Sequence, residues 1–430
     1  MPATVKLHQD FPSENLLVVV LISSRHVTGL VAGMGQALGN QTLAFKRMDV
    51  EWESLEEIRQ IEVVADIIRR VCDSAGIVPR SVYLSRSEVS LRSRQVTGDT
   101  DFEGVIHEIG EHEMAWALRR AHEKPVGTEE ELIDLIPVRW VVNGEITRTH
   151  LGESREERRE ARHRFPLGEK GKGLTCQALQ IIARRGYRAE LERLASGLNL
   201  ELDGVIAQPA ALYRGISGAL PQRGWSLVID CGARHTSFLL RSHERLLQVR
   251  TFEFGGDDLT TRIAQDLSLT PARAQELKHR VDLSAAAEGV VQGQQTLWSF
   301  QDGGTAGDDA QRSQAAAICR DLVQEFFRRR AHELQDDADN PLPRKGTIHL
   351  VGNASRLGGL APVLADIFGL DVVLGSGKGD REIGAELEGL LLTGLMVSAI
   401  DQRRAANEVH GTSMSGKALG VWAWLTRRFE

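Results

Sequence analysis

The residues best suited to chemistry form the run Val228-Ile229-Asp230-Cys231-Gly232-Ala233-Arg234-His235, an apolar strand that ends in an Asp and a Gly turn before a second apolar run. Gly232 has no Cβ, so an anion can lie against the backbone, N–H groups of the turn can point at phosphate oxygens, and Asp230 can hold Mg²⁺ through water. Asp-x-Gly also closes many ordinary hairpins, so the motif gains weight only from its companions. One companion is Ile348-His349-Leu350-Val351-Gly352-Asn353-Ala354-Ser355-Arg356, a buried strand ending in small residues that would admit a base or ribose at Gly352, Asn353 and Ser355. A helix starts just beyond, and its N-terminus favours phosphate. The other is Phe254-Gly255-Gly256-Asp257-Asp258-Leu259, a glycine pair before a helical stretch that carries Glu276 and Lys278.

The elements that must position these residues alternate between strand and helix. Leu16 to Ile22 and Val27 to Ala32 read as buried strands joined through Ser23, Ser24, Arg25 and His26, with Gln41 to Met48 as a third. Leu55 to Ala75 has helical spacing and Gly76 as its stop, and Ser81 to Leu84 is a strand. Ile106 to His122 reads as a charged helix, Leu132 to Val142 as a strand, Asn143-Gly144 as a hairpin turn, and Glu153 to Arg164 as a charged edge. Strands are expected at Leu174 to Ala183 and Gly204 to Gln208, then again from Trp225. The two glycine- or serine-bearing openings lie about 210 residues apart, which suggests duplication into two related lobes. Leu259 to Val281 and Ala315 to Leu334 read as helices, and the whole as an α/β protein with mixed sheets.

Composition narrows the class. At 430 residues and 42% apolar the chain can build more than one core. A net charge of −7 with mixed signs along the chain provides no field for nucleic acid. Cys72, Cys176, Cys231 and Cys319 are widely spaced, which fits buried thiols in a reducing cytosol and neither a zinc site nor a disulfide framework. Met1 to Asn15 lacks the pattern of an export signal.

Taken in order, the three motifs resemble the phosphate, lobe-crossing and adenosine segments of the actin, Hsp70 and sugar-kinase superfamily. Within it, the chain resembles the FtsA family, which tethers the bacterial division ring to the membrane. Glu130 to Gly144 looks like that family's small-domain strand pair, Gly204 to Ala211 like its interdomain strand and helix start, and Gly255 to Lys278 like its Gly-Gly helix segment. The resemblance implies an actin-like two-lobed fold of duplicated ribonuclease-H-like domains. The first large subdomain would take residues 1–79 and 166–215 with 387–402 returning to it, and the inserted small domain 80–165. The second large subdomain would take 216–256 and 346–386, and its small subdomain 257–345. It further implies ATP and Mg²⁺ as cofactors. Ser23, Ser24, Asp230, Gly232, Ala233, Gly255 and Gly256 would lie at the phosphates, Gly352, Asn353 and Ser355 on the adenosine side, and Glu276 and Lys278 at the ribose or base. Gln208 would position the attacking water. One departure stands out: where the family's first phosphate loop begins with Asp-Ile-Gly, this chain has Leu21-Ile22-Ser23. Hydrolysis is therefore expected to be slow or absent.

After a polar linker, 403–416, residues 417–430 form a compact segment in which Val421, Trp422, Leu425 and Phe429 share one helical face. Trp424 lies at its margin, with Arg427 and Arg428 nearby. Half-burying the three aromatics in a lipid interface contributes on the order of 7 to 8 kcal/mol, and ordering the segment costs a comparable amount. One tail would then bind weakly, and many tails linked in a polymer would bind strongly. The expected protein is an actin-like membrane tether on the cytoplasmic face of the inner membrane, assembling with itself and binding the FtsZ C-terminal peptide. The alternatives are a PilM-like adaptor of a membrane assembly and a degenerate actin-like ATPase with another partner.

Overall fold

The computed structural model describes residues 15–34, 40–142, 145–146, 166–218, 220–221, 224–243, 245–284, 306–337, 340, 342, 344–375 and 383–411. The chain divides into two compact units. One contains Met1–Ile216, Leu246–Val249 and Leu390–Glu430, and the other Ser217–Arg245 and Arg250–Gly389.

The first unit opens with β1 (Leu16–Ile22), β2 (His26–Gly33), β3 (Gln41–Asp49), α1 (Glu57–Ala75) and β4 (Ser81–Arg86). α1 buries Val64, Ile67, Ile68 and Val71, spaced three and four apart, and stops where Gly76 turns left-handed at φ 71°. Each buried side chain contributes roughly 1.5–3 kcal/mol, well above the few tenths that separate helix propensities, so packing decides this helix. β1 runs antiparallel to β2 and parallel to β4.

An inserted layer follows: β5 (Arg92–Asp101), β6 (His107–Glu108), α2 (Glu111–His122), β7 (Glu130–Val142), β8 (Glu145–Ile146), β9 (Lys170–Gly171) and β10 (Gly173–Arg184). The helix expected from Ile106 starts only at Glu111, because β6 occupies His107–Glu108 and the Glu113 carboxylate accepts the Gly110 N–H at 2.9 Å. β10 pairs antiparallel with both β5 and β7, so its twelve residues belong to this layer. Met114, Ala117, Leu118, Trp140 and Cys176 fill the space between α2 and these strands.

The unit continues with α3 (Tyr187–Gly197), β11 (Glu201–Val205) and α4 (Gln208–Ile216), and its main sheet has the order β11-β4-β1-β2-β3.

The second unit contains β12 (Trp225–Cys231), β13 (His235–Ser242), residues of β14 (Arg245–Glu253), α5 (Gly256–Asp266), α6 (Pro271–Arg280), α7 (Ala306–Gln335), β15 (Thr347–Val351), α8 (Leu360–Phe368) and β16 (Asp371–Leu374). Its strands follow β16-β15-β12-β13-β14, the order of the first unit repeated, with two parallel pairs and then the antiparallel hairpin β12–β13 in the places of β11–β4, β4–β1 and β1–β2. The expected single helix from Leu259 to Val281 is two, because Pro271 lacks an N–H and opens a new helix whose Thr270 cap accepts from Arg273 N–H at 3.3 Å. Phe238, Phe327 and Phe368 anchor the core beneath this unit's strands.

Last comes α9 (Ile383–Gly411), which reaches into the segment expected to be a linker. From Leu390 onward it belongs to the first unit, where it lies against α4. A Cβ on Gly215 would strike the Leu390 carbonyl, and one on Gly394 the Ala211 carbonyl, so the two helices touch backbone to backbone.

All four cysteines are free and buried. Among the described residues, no helix is long and apolar enough to cross a membrane.

Candidate nucleotide site

The two units each carry the same hairpin. In the first, the Ser23 N–H donates to the His26 carbonyl at 2.9 Å, and in the second the Gly232 N–H donates to the His235 carbonyl at 2.9 Å. Ile22 pairs with Val27 as Cys231 pairs with Thr236, and Leu21 with Thr28 as Asp230 with Ser237. Ser24 and Ala233 are equivalent too: their carbonyls accept from Trp52 N–H at 3.0 Å and Asp257 N–H at 2.8 Å. Arg25 pairs with Glu51, and Arg234 with Asp257.

Chemically the copies differ. Leu21 is buried in an apolar cluster with Leu17, Leu30, Tyr83 and Met396, and Ser24 is also buried. Asp230 is half-buried, and no protein group hydrogen-bonds or ion-pairs with its carboxylate among the described residues. Burial pushes its carboxyl up from 3.8 to about 6.

Around Asp230 the backbone closes in. Gly352 follows β15, whose Val351 pairs with Asp230, and takes φ 89°, a conformation that favours glycine. A Cβ there would run into the Cys231 carbonyl and lie 2.6 Å from Asp230 Oδ1. Ser355 is buried, and its hydroxyl donates to the Gly352 carbonyl at 2.6 Å, fixing the turn. Asn353, at the start of that turn, is exposed.

Gly255 sits against the Ala233 carbonyl with no room for a side chain. Gly256 N–H donates to the Gly232 carbonyl at 3.1 Å, so the first N–H groups of α5 are spent on the hairpin. The Asp258 carboxylate caps Gly255 N–H at 2.8 Å, and burial pushes its carboxyl up. Lys278 Nζ donates to the Gly256 carbonyl and Thr260 Oγ1 at 2.8 Å, and to Gln275 Oε1 at 2.9 Å. That ammonium ties α6 to the start of α5.

The second unit thus brings together Asp230, Gly232, Ala233, Gly255, Gly256, Lys278, Gly352 and Ser355. Glu276 stands apart, its side chain 61% exposed and paired with Arg273 at 3.0 Å on the surface of α6. Ser23 and Ser24 lie in the first unit's hairpin. Gln208 is there too, half-buried at the first position of α4 and not at a strand end. Residues 421–429 lie outside the described residues. Asp258 and Thr260 were not singled out from sequence, although Asp three residues after Gly255 is the spacing of a capping box. Thr236, whose buried hydroxyl donates to the Phe254 carbonyl at 2.7 Å, gives no such signal.

Duplicated strand order, paired hairpins and a glycine-lined acidic turn define an actin-like fold. Among solved structures, the chain is similar to a chain of the PilM–PilN type IV pilus biogenesis complex, with 19% identity, 89% of this chain and 98% of that one covered, and a TM-score of 0.54. It also matches the ethanolamine utilization protein EutJ from Carboxydothermus hydrogenoformans at 13% identity, with 90% and 91% covered and a TM-score of 0.44. A third match is MreB 5 of Spiroplasma citri bound to AMPPNP, at 12% identity, with 93% and 100% covered and a TM-score of 0.41. No protein-family model matches the sequence, and no curated protein does.

Proposed function

We propose that the protein is an actin-like adaptor of a membrane assembly, which holds adenine nucleotide chiefly through its second unit and turns it over slowly or not at all. The inequality of Leu21 and Asp230 carries this reading. A nucleotide gripped by one acidic hairpin, with an apolar residue at the matching place in the other, suits a ligand that stabilises a shape better than one that is consumed. ATP fits the residues present, since the Asp230 carboxylate has no partner among the described residues and Gly232 and Gly352 admit close approach to the backbone. In this reading Asp230 holds Mg²⁺ through water, Gly232 and Ala233 face the phosphate tail, and Gly352, Asn353 and Ser355 the adenosine. Mg²⁺ would supply neutralising charge for the phosphates.

The partner defines two finer forms. The fold likeness to the PilM–PilN complex favours an adaptor that captures a membrane protein of a pilus-type assembly. The FtsA-like segments and the aromatic, basic tail favour a division-ring tether that binds the FtsZ C-terminal peptide, polymerises, and sits on the inner membrane's cytoplasmic face. Co-sedimentation with anionic liposomes tests the tether. The full chain should pellet, more strongly with Mg-ATP, and a chain ending at Gly416 should not. Equal behaviour of the two chains would remove the membrane tether. Immobilised FtsZ C-terminal peptide then separates the finer forms, since only the division-ring tether should be retained on it.

A further inference from the structure

We propose that the outer face of α2, in the inserted layer, docks an acidic linear segment of a partner protein that carries one aromatic or aliphatic side chain. A surface cavity of about 480 Å³ opens there, lined by Asp99, Trp116, Arg119, Arg120, Glu123 and Lys124. Trp116 is 47% exposed, although the opposite face of the same helix, with Met114, Ala117, Leu118 and Ala121, fills the layer's core. Trp116 and Arg120, four residues apart, share one face of α2, and Lys124, just past the helix end, lines the same cavity.

The charges are not self-satisfied. Arg119 pairs with Glu123 at 2.8 Å, and Asp99 accepts the Thr175 hydroxyl at 2.6 Å. Arg120 and Lys124 have no acidic partner among the described residues, in a chain whose net charge is −7. Cations near a helix C-terminus also suit its dipole, but that does not account for the exposed indole beside them, which the His112 ring flanks edge-on at 5.6 Å. Trp and Arg are the side chains that most often dominate binding energy at interfaces.

The stripe is also pre-organised. Gly98 lets the Ala117 carbonyl press onto β5 where any Cβ would collide. The buried Gln180 amide donates to the carbonyls of Ala121 at 3.1 Å and Lys124 at 3.0 Å, fastening the end of α2 to β10. A wall that does not move on binding loses less entropy. Concavity and the rim carboxylates of Glu123 and Asp99 favour a peptide, whose acids can be placed between them, over a flat anionic lipid surface.

The test is fluorescence anisotropy on the full chain without nucleotide, so that failure here leaves the nucleotide reading untouched. Two labelled peptides are compared, one rich in Glu and Asp around a central Phe, the other with Gln and Asn in their place. The acidic peptide should saturate, and the neutral one should bind at least about tenfold more weakly. Trp116→Ala and the pair Arg120→Gln with Lys124→Gln should each weaken the acidic peptide at least about tenfold, with unchanged thermal melts. No binding of the acidic peptide, or equal binding by all three proteins, overturns the proposal. So does loss of binding to anionic phospholipid vesicles in these variants when the peptide does not bind at all.

Discussion

Leu21 and Asp230 occupy the same position in two copies of one hairpin, each two residues before the N–H that closes its turn. One side chain completes an apolar cluster, and the other presents a half-buried carboxylate with no partner among the described residues. The duplication preserved the backbone and let the chemistry diverge.

The carboxylate of Asp230 should destabilise the ligand-free protein at neutral pH. Burial raises its folded value to about 6 from 3.8, so between these values the folded chain binds more protons than the unfolded one. Stability therefore falls as pH rises through that window, and the loss is complete above it. Asp230→Asn removes the charge and should be more stable than the parent by about 2–3 kcal/mol at pH 8. The difference should vanish near the lower end of the window. Urea unfolding at several pH values measures it, and equal stability at pH 8 would refute the burial argument.

Leu21→Asp should not restore a phosphate site. It would place a carboxylate among Leu17, Leu30, Tyr83 and Met396 without a counter-charge. A loss of about 3 kcal/mol or more is expected by chemical denaturation. If the variant is as stable as the parent and gains ATP turnover, the reading of the first hairpin is wrong.

Arg214 in α4 donates to Asp134 of β7 at 3.0 Å and to Ser398 Oγ of α9 at 3.0 Å, joining the inserted layer to the two helices that cross at Gly215 and Gly394. Side-chain exposure is only 10% for Arg214 and 15% for Asp134. Arg214→Met strands the Asp134 carboxylate and removes a charge facing buried Asp401, and should cost about 3–5 kcal/mol, whereas Arg214→Met with Asp134→Leu should recover part of it. A double-mutant cycle showing no coupling would contradict this picture.

Lys278 and Glu276, two residues apart on α6, should behave in opposite ways. Lys278→Met deletes three hydrogen bonds and the ammonium that ties α6 to the start of α5, so stability should fall by about 2 kcal/mol. Glu276→Gln, on the exposed face, should change stability by less than about 0.5 kcal/mol. Thermal melts of both variants decide the matter.

Much of the architecture could be read from the chain. Continuous apolar runs located β1, β2, β12 and β15, because strands buried on both faces leave such stretches. Gly76 and Pro271 mark a helix end and a helix start by their own stereochemistry, although Pro271 lies inside a longer periodic stretch that masks the break. Pairing was harder to read, since nothing local in Gly173–Arg184 says that β10 inserts between β5 and β7. Of the candidate site, the glycines were legible because close backbone approach requires them. The fate of Lys278 was not, because a long flexible side chain can reach inward to cap a neighbouring helix or outward to a ligand, and only tertiary packing chooses.

Equilibrium binding of a fluorescent ATP analogue, titrated in Mg²⁺ and in EDTA against the parent and Asp230→Asn, addresses the central claim. The account predicts saturable, Mg²⁺-strengthened binding by the parent, with affinity reduced at least about tenfold in Asp230→Asn and its Mg²⁺ dependence lost. Identical, Mg²⁺-independent titrations for the two proteins, or no binding by either, would contradict it.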